Sequence, residues 1–180
     1  EPAPRLHWKG PRVFSGEDDC LDLGEGHTLQ LRESFTVMIW GRPTARTRDW
    51  ARLLGKGLGG QRNYGIWVQP RDGSPFSQTM GIQPRDVPGP LPMTPPRNPI
   101  PLNEWTHLAA RFQRNQVHEF FINGVCMATQ PTTGEPAISN ESVILGKGNH
   151  TGFIGVLADA RIYDCALPAK AIAAIAKQRP

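Results

Sequence analysis

The sequence predicts an all-β domain, and three observations carry the prediction. Nineteen glycines and 18 prolines in 180 residues, beside 38% hydrophobic residues, multiply turns and disfavour helix interiors. Proline lacks the N–H that a helix or ladder needs, and glycine loses the most backbone entropy on ordering. Apolar side chains recur at every second position in short runs, the period that puts them on one face of a strand. Asn123-Gly124, set between Phe120-Phe121-Ile122 and Val125-Cys126-Met127, supplies the two positive φ values that a two-residue type I′ hairpin turn requires.

Each element follows in order. Phe35, Val37 and Ile39 alternate with Thr36, Met38 and Trp40. Tyr64, Ile66 and Val68 alternate with Gly65, Trp67 and Gln69, and Leu108, Ala110 and Phe112 alternate with His107, Ala109 and Arg111. Residues 84–101 hold eight prolines, too many for a ladder, and read as an extended, polyproline-like loop inserted between strands. The one helical segment is 168–177, opened by Pro168, whose missing N–H does no harm there. The whole chain, 1–180, suits a single domain with one core.

Charge and motifs exclude several classes. A net charge of +4 and a sequence pI near 9.3 describe an ordinary basic surface, and no nucleic-acid partner is expected because the charge is not gathered into a stripe. The densest run, Arg42, Arg46, Arg48 and Arg52 with Trp50 among them, reads as a patch. No run of about 20 apolar residues offers a membrane span. Glu-Pro-Ala-Pro at the start reads as a processed terminus or a linker end. Residues 55–60 spell a GxGxxG, but a strand follows where a phosphate site needs a helix N-terminus. Cys20, Cys126 and Cys165 lack CxxC spacing, and Cys126, inside an apolar strand, reads as a small buried hydrophobe. Paired carboxylates on one strand, a GxSxG elbow and an HExxH helix are all missing from the sequence, so no enzyme activity and no catalytic residue is expected. Asn140-Glu141-Ser142 and Asn149-His150-Thr151 are glycosylation sequons if the chain passes a eukaryotic secretory pathway.

Residues 151–167, TGFIGVLADARIYDCAL, and 14–23, FSGEDDCLDL, resemble the closing and opening strands of the laminin-G-like, concanavalin A-like lectin-glucanase jelly-roll family. The resemblance continues through SFTVMIWGRP at 34–43, NEWTHLAARF at 103–112 and FFINGVCMAT at 120–129. It implies a two-sheet antiparallel β-sandwich with a short C-terminal helix. It also implies a secreted, cell-surface or periplasmic binding module, in some proteins one part of a longer multidomain chain. The partner would be a polysaccharide or other glycan, or a protein in an adhesion or assembly role. A polysaccharide hydrolase or lyase with an unrecognised site is the third reading.

The resemblance further places Cys20 and Cys165 in neighbouring first and last strands, where a bridge needs Cα atoms about 4.4–6.8 Å apart, and gives His107 the role of a hydrogen-bonded structural imidazole. It suggests a structural Ca²⁺ held by an acidic residue before the final strand's Arg-Ile-Tyr. Ala158 stands at that position, and Asp159 points to the other face, so no cofactor is expected. Glu17, Asp18, Asp19 and Asp159 remain weak metal candidates, because calcium takes six to eight oxygens.

Strict alternation of strand direction sets the loops at 43–50, 70–77, 113–116 and 130–141 at one end of the sandwich. Those at 55–63, 84–104, 123–124 and 147–152 then fall at the other. Trp67 and Gln69 face outward if Tyr64, Ile66 and Val68 face in, and the same parity turns Arg111 outward. An outward tryptophan is costly unless covered, so Trp67, Gln69 and Arg111 form the expected sugar platform, with Trp50 and Arg48 as its lip. The alternative is that the proline loop or the C-terminal helix covers Trp67.

Overall fold

Strand alternation divides the apolar side chains between two faces, and two sheets pack on the shared one. The computed structural model describes residues 2–84, 92–93 and 97–180, the side chains of 83, 84, 92 and 93 excepted. The larger sheet runs in the order β1 (Leu6–Trp8), β14 (Ile154–Tyr163), β4 (Ser34–Pro43), β10 (Thr106–Gln113), β11 (Val117–Ile122), β12 (Val125–Gly134) and β8 (Ile82–Pro84), with β2 (Arg12–Ser15) also on β14. The smaller runs β3 (Leu21–Asp22), β13 (Val143–Leu145), β5 (Ala51–Lys56), β6 (Tyr64–Val68), β7 (Pro75–Gln78) and β9 (Pro92–Met93). All pairings are antiparallel. A short helix, α1 (Ala169–Ile175), closes the chain, and no helix among the described residues is long and apolar enough to cross a membrane.

Between the sheets, Phe35, Val37 and Ile39 of β4 and Leu108, Ala110 and Phe112 of β10 meet Tyr64, Ile66 and Val68 of β6 in one buried core. Phe35 stacks on Phe112 at 5.2 Å and tilts against Tyr64 at 5.5 Å. Burying a side chain of this size contributes about 1.5–3 kcal/mol, so this row across the sandwich carries much of the fold. His118 of β11 also points inward and is hydrogen-bonded through Nε2 to Ser77 Oγ of β7 at 3.1 Å, a polar tie from sheet to sheet.

The outer face of the large sheet carries a second core. Met38, Ala109, Phe121 and Tyr163 are covered by Leu167 and by Ala171, Ile172 and Ile175 of α1. Thr36 Oγ1 donates to the Cys165 carbonyl and accepts from the Leu167 N–H, both at 2.9 Å, fixing the turn that delivers the helix. His107 lies on this face, fully buried against Trp40 at 5.2 Å. Among the described residues neither of its ring nitrogens has a hydrogen-bond partner. Its role is packing against Trp40, and the expected hydrogen bonds to the ring are not made.

Five other expectations are corrected. The grouping of loops fails from the proline segment onward. β9 runs back beside β7, one traversal that the proline content had hidden, and it reverses the end reached by every later loop. Residues 97–104 and 147–153 therefore join 43–50 and 70–74: Arg46 donates to the Ile100 carbonyl at 2.7 Å, Asn103 N to Pro43 O at 2.7 Å and Phe153 N to Gly146 O at 2.7 Å, while His150 meets Asp49. Arg114 goes to the opposite end, bonded to Glu33. The proline segment itself contributes two short ladders, at Ile82–Pro84 and Pro92–Met93; both lie at sheet edges, where proline is tolerated. Residues 85–91 and 94–96 lie outside the described residues.

The arginine run disperses, because β4 and β5 belong to different sheets. Arg42 lies over Trp105, Arg46 anchors to Ile100, and Arg52 is buried on carbonyl oxygens of Lys147 and Gly57. The cysteines are free, and Cys126 is exposed rather than buried; it lies beside the Phe120/Phe121 register shift, on the stretch of β12 that β8 does not pair. Cys20 and Cys165 are not neighbours: β14 pairs with β1 and β2, upstream of Cys20, whereas the strand after Cys20 joins the small sheet. In the folded protein Cys126 and Cys20 should react with a thiol reagent well before Cys165, which is half-buried and whose thiol is pushed up by burial and by Asp164. Mass spectrometry of partly alkylated protein checks the order; first labelling at Cys165 would contradict it.

Candidate functional site

The outer face of the small sheet is built by a cross-strand row. Arg52, Trp67 and Phe76 sit opposite one another on β5, β6 and β7. Glycines clear the floor beneath them. A Cβ on Gly65 would meet the Trp67 ring at 2.3 Å, and one on Gly55 would meet the Arg52 side chain at 2.7 Å, so the indole and the guanidinium stem lie flat on the sheet. Trp67 stacks on Phe76 at 5.6 Å, and the Arg62 guanidinium covers it at 5.6 Å. Phe76 in turn takes the edge of Trp50 at 5.0 Å. Trp67 is 3% exposed and Trp50 38%: the row is buried in the middle and surfaces at Trp50. Burial pushes Arg52 down to about 10, a shift that the neighbouring Arg62 reinforces; it remains a cation at neutral pH.

Where the row surfaces, a cleft of about 550 Å³ opens, lined by Arg48, Trp50, Gln69, Arg71, Asp72 and Arg97, with Pro70. Its floor is a tight loop. Gln69 N donates to Ser74 O, Gly73 N to Gln69 O and Arg71 N to Thr47 O. Asp72 accepts from Ser74 N and from Arg97 Nε, both at 2.9 Å, and these two bonds hold its carboxyl below the ordinary carboxylate value. The cleft thus offers one half-exposed aromatic face, one amide and three guanidinium groups against one paired carboxylate. Such a mixture of an apolar surface with a few convergent polar groups holds a small polar ligand.

Of the residues singled out by sequence, Trp50, Arg48 and Gln69 meet at this cleft. Trp67 lies behind it on the same sheet, covered by Phe76 and Arg62 and not by the helix. Arg111 does point outward, but from the large sheet, where it is paired with Glu119 and donates to the Leu167 carbonyl at 2.8 Å; it shares no surface with Trp67. Arg71 could be found from the loop parity that set 70–77 beside 43–50. Arg97 could not, because β9 had reversed the parity by then.

The carboxylates considered for metal are dispersed. Asp19 is held by Arg12 at 2.7 Å and by the Ser15 N–H, Asp18 pairs with Lys147, and Glu17 is exposed. Asp159 takes both guanidinium bonds of Arg161 at 2.8 Å and His7 Nε2 at 2.6 Å. Among the described residues no group of three or more His, Cys, Asp or Glu is placed to hold a metal ion. The lysine of the glycine-rich turn, Lys56, is buried with its ammonium on the carbonyl oxygens of Gly26 and Glu141, a structural use.

The fold is similar to that of several solved structures. The CBM40 module of Ruminococcus gnavus IT-sialidase, bound to α2,3-sialyllactose, superposes with a TM-score of 0.75 at 19% identity, covering 97% of this chain and 99% of that one. Domain 4 of an extracellular arabinanase from Geobacillus stearothermophilus, in complex with arabinotriose, gives 0.67 at 22% identity, covering 94% and 80%. A sialidase of Trypanosoma rangeli gives 0.64 at 15% identity over 91% of this chain but 27% of its own. No curated protein sequence matches. A family model does, over residues 15–173, and with the two-sheet sandwich it shows that the chain belongs to the concanavalin A-like lectin/glucanases superfamily.

Proposed function

We propose that this domain is an extracellular, non-catalytic glycan-binding module that holds a sugar in the cleft beside Trp50. The observation that carries the reading is Trp50 itself, surfacing from a buried aromatic row over a cleft that also presents Gln69, Arg48 and Arg71. A pyranose lays its apolar face on an indole while amide and guanidinium groups take its hydroxyls. Two proteins of the same fold were solved with oligosaccharides bound, arabinotriose and sialyllactose, and the first belongs to an extracellular enzyme.

Trp50→Ala should weaken retention on a glycan affinity gel roughly tenfold or more, the scale of losing one aromatic contact and its burial. The melting temperature should move by only a few degrees, because Trp50 is more than a third exposed. Unchanged retention would remove the cleft from the reading. Release of reducing ends from a polysaccharide faster than a heat-killed control would remove its non-catalytic part.

A further inference from the structure

We infer that the sugar taken by this cleft is anionic, carrying a carboxylate or sulfate group that is received by Arg71 with Arg48 and Arg97. The inference rests on the glycan-binding reading and adds the chemical class of the ligand. Three arginines line one cleft, and Asp72 is the single carboxylate among its lining residues. Asp72 spends one oxygen on Ser74 N and the other on Arg97 Nε, so Arg97 keeps its terminal fork. Arg48 and Arg71 have no ion pair among the described residues. Asp49, the next acid along, is occupied by the Trp50 N–H and by His150. A concave site with an excess of positive charge in its lining attracts anions, and guanidinium forks bind carboxylate or sulfate oxygens through paired, charge-assisted bonds.

The backbone at Arg71 supplies a clean test of its side chain. Arg71 has a φ of +72°, in the left-handed region that costs a non-glycine residue roughly 1–2 kcal/mol. The loop that sets it there is bonded back on itself, Arg71 N to Thr47 O and Gly73 N to Gln69 O, and a glycine would take the same conformation without strain. Arg71 and Trp50 line the same cleft, so a sugar stacked on the indole would carry its charged group within reach of a long arginine side chain.

The test uses the full chain on immobilised glycans at two salt concentrations. One arm carries carboxylate sugars (α2,3-sialyllactose, polygalacturonate), one a sulfated sugar (heparin), and one neutral sugars (lactose, arabinan). Retention is expected on a carboxylate or the sulfated arm, falling with salt, and the arm that binds identifies the anion. Arg71→Gly should weaken that binding roughly 10- to 100-fold, the range for losing hydrogen bonds to a charged group. Because glycine relieves the strained φ, the variant should melt at or above the parent's temperature, so loss of binding cannot be loss of fold. Lys170→Gln, an equal charge removed from the distant helix, should change nothing. Equal losses in both variants would mean diffuse attraction to a basic protein and would overturn the inference. Binding confined to neutral sugars would overturn it while leaving the glycan reading intact; silence on all three arms would overturn both.

Discussion

Lowering the pH from 7 to 4 is expected to cost the domain several kcal/mol of stability, through two histidines that the fold keeps neutral. His118 is buried between the sheets and His107 beneath the C-terminal helix side of the large sheet, each fully inaccessible. Burial pushes His118 down from 6.5 to about 4. The same desolvation takes His107 to about 4, with Asp159 favouring its protonation and Arg161 opposing it. In the unfolded chain both rings take protons near 6.5. Between pH 6.5 and 4 the unfolded state therefore binds more protons than the folded one, and stability falls as pH falls, from its full value above 6.5. A shift of this size is worth up to about 3 kcal/mol for each ring, against a total of about 5–15 kcal/mol for a typical domain.

Asp159 does not interfere in this window. Desolvation opposes its ionisation, but the hydrogen bonds from Arg161 and His7 outweigh it and hold the carboxyl below 3.8, so its contribution is lost only at lower pH. Urea midpoints measured from pH 7 to 4.5 check the expectation. His118→Gln, which keeps an amide opposite Ser77, should remove about half of the slope. A midpoint that stays level from pH 7 to 5 would contradict it.

Trp67→Ala is expected to destabilise the domain by about 3–5 kcal/mol, the range for emptying a buried tryptophan site, whereas Trp50→Ala mainly costs binding. The two residues are joined through Phe76, yet one is 3% exposed and the other 38%. Gly65 offers the sharper measurement. A methyl group there would stand 2.3 and 2.5 Å from two Trp67 ring carbons, an overlap that costs roughly 1–3 kcal/mol when the neighbour must shift. Gly65→Ala should therefore destabilise the parent, and most of that penalty should vanish in the Trp67→Ala background, because its cause has gone. Contacting residues give non-additive cycles. Additive losses in denaturant melts would mean that the indole does not lie on Gly65.

Much of the fold is legible in the sequence because strand parity is local. Phe35, Val37 and Ile39 facing Tyr64, Ile66 and Val68 across the core need nothing beyond period two and a shared apolar face. The Asn123-Gly124 turn is equally local, with φ of +50° and +80°, and so is the amphipathic triplet Ala171, Ile172 and Ile175 on its helix. The family strands at both ends of the chain added the two-sheet sandwich. By the same parity Trp67, Gln69 and Arg111 were set outward from their strands, and Trp50, Arg48 and Gln69 do meet at one cleft.

Tertiary structure alone decided which outward faces coincide. Parity says that a side chain leaves the core but not which sheet its strand joins, so Trp67 and Arg111 diverge although both point out. It is also silent on cover. Phe76 and Arg62 lie on Trp67 from strand pairings and turns that no local pattern specifies, and the helix lies on Phe121 and Tyr163 instead. Above all, one short edge strand, Pro92–Met93, runs back beside β7 and brings Arg97 to Asp72. Proline content argued against a ladder there, but a two-residue edge pairing needs only one side of the backbone, and that single reversal placed the third arginine beside Trp50.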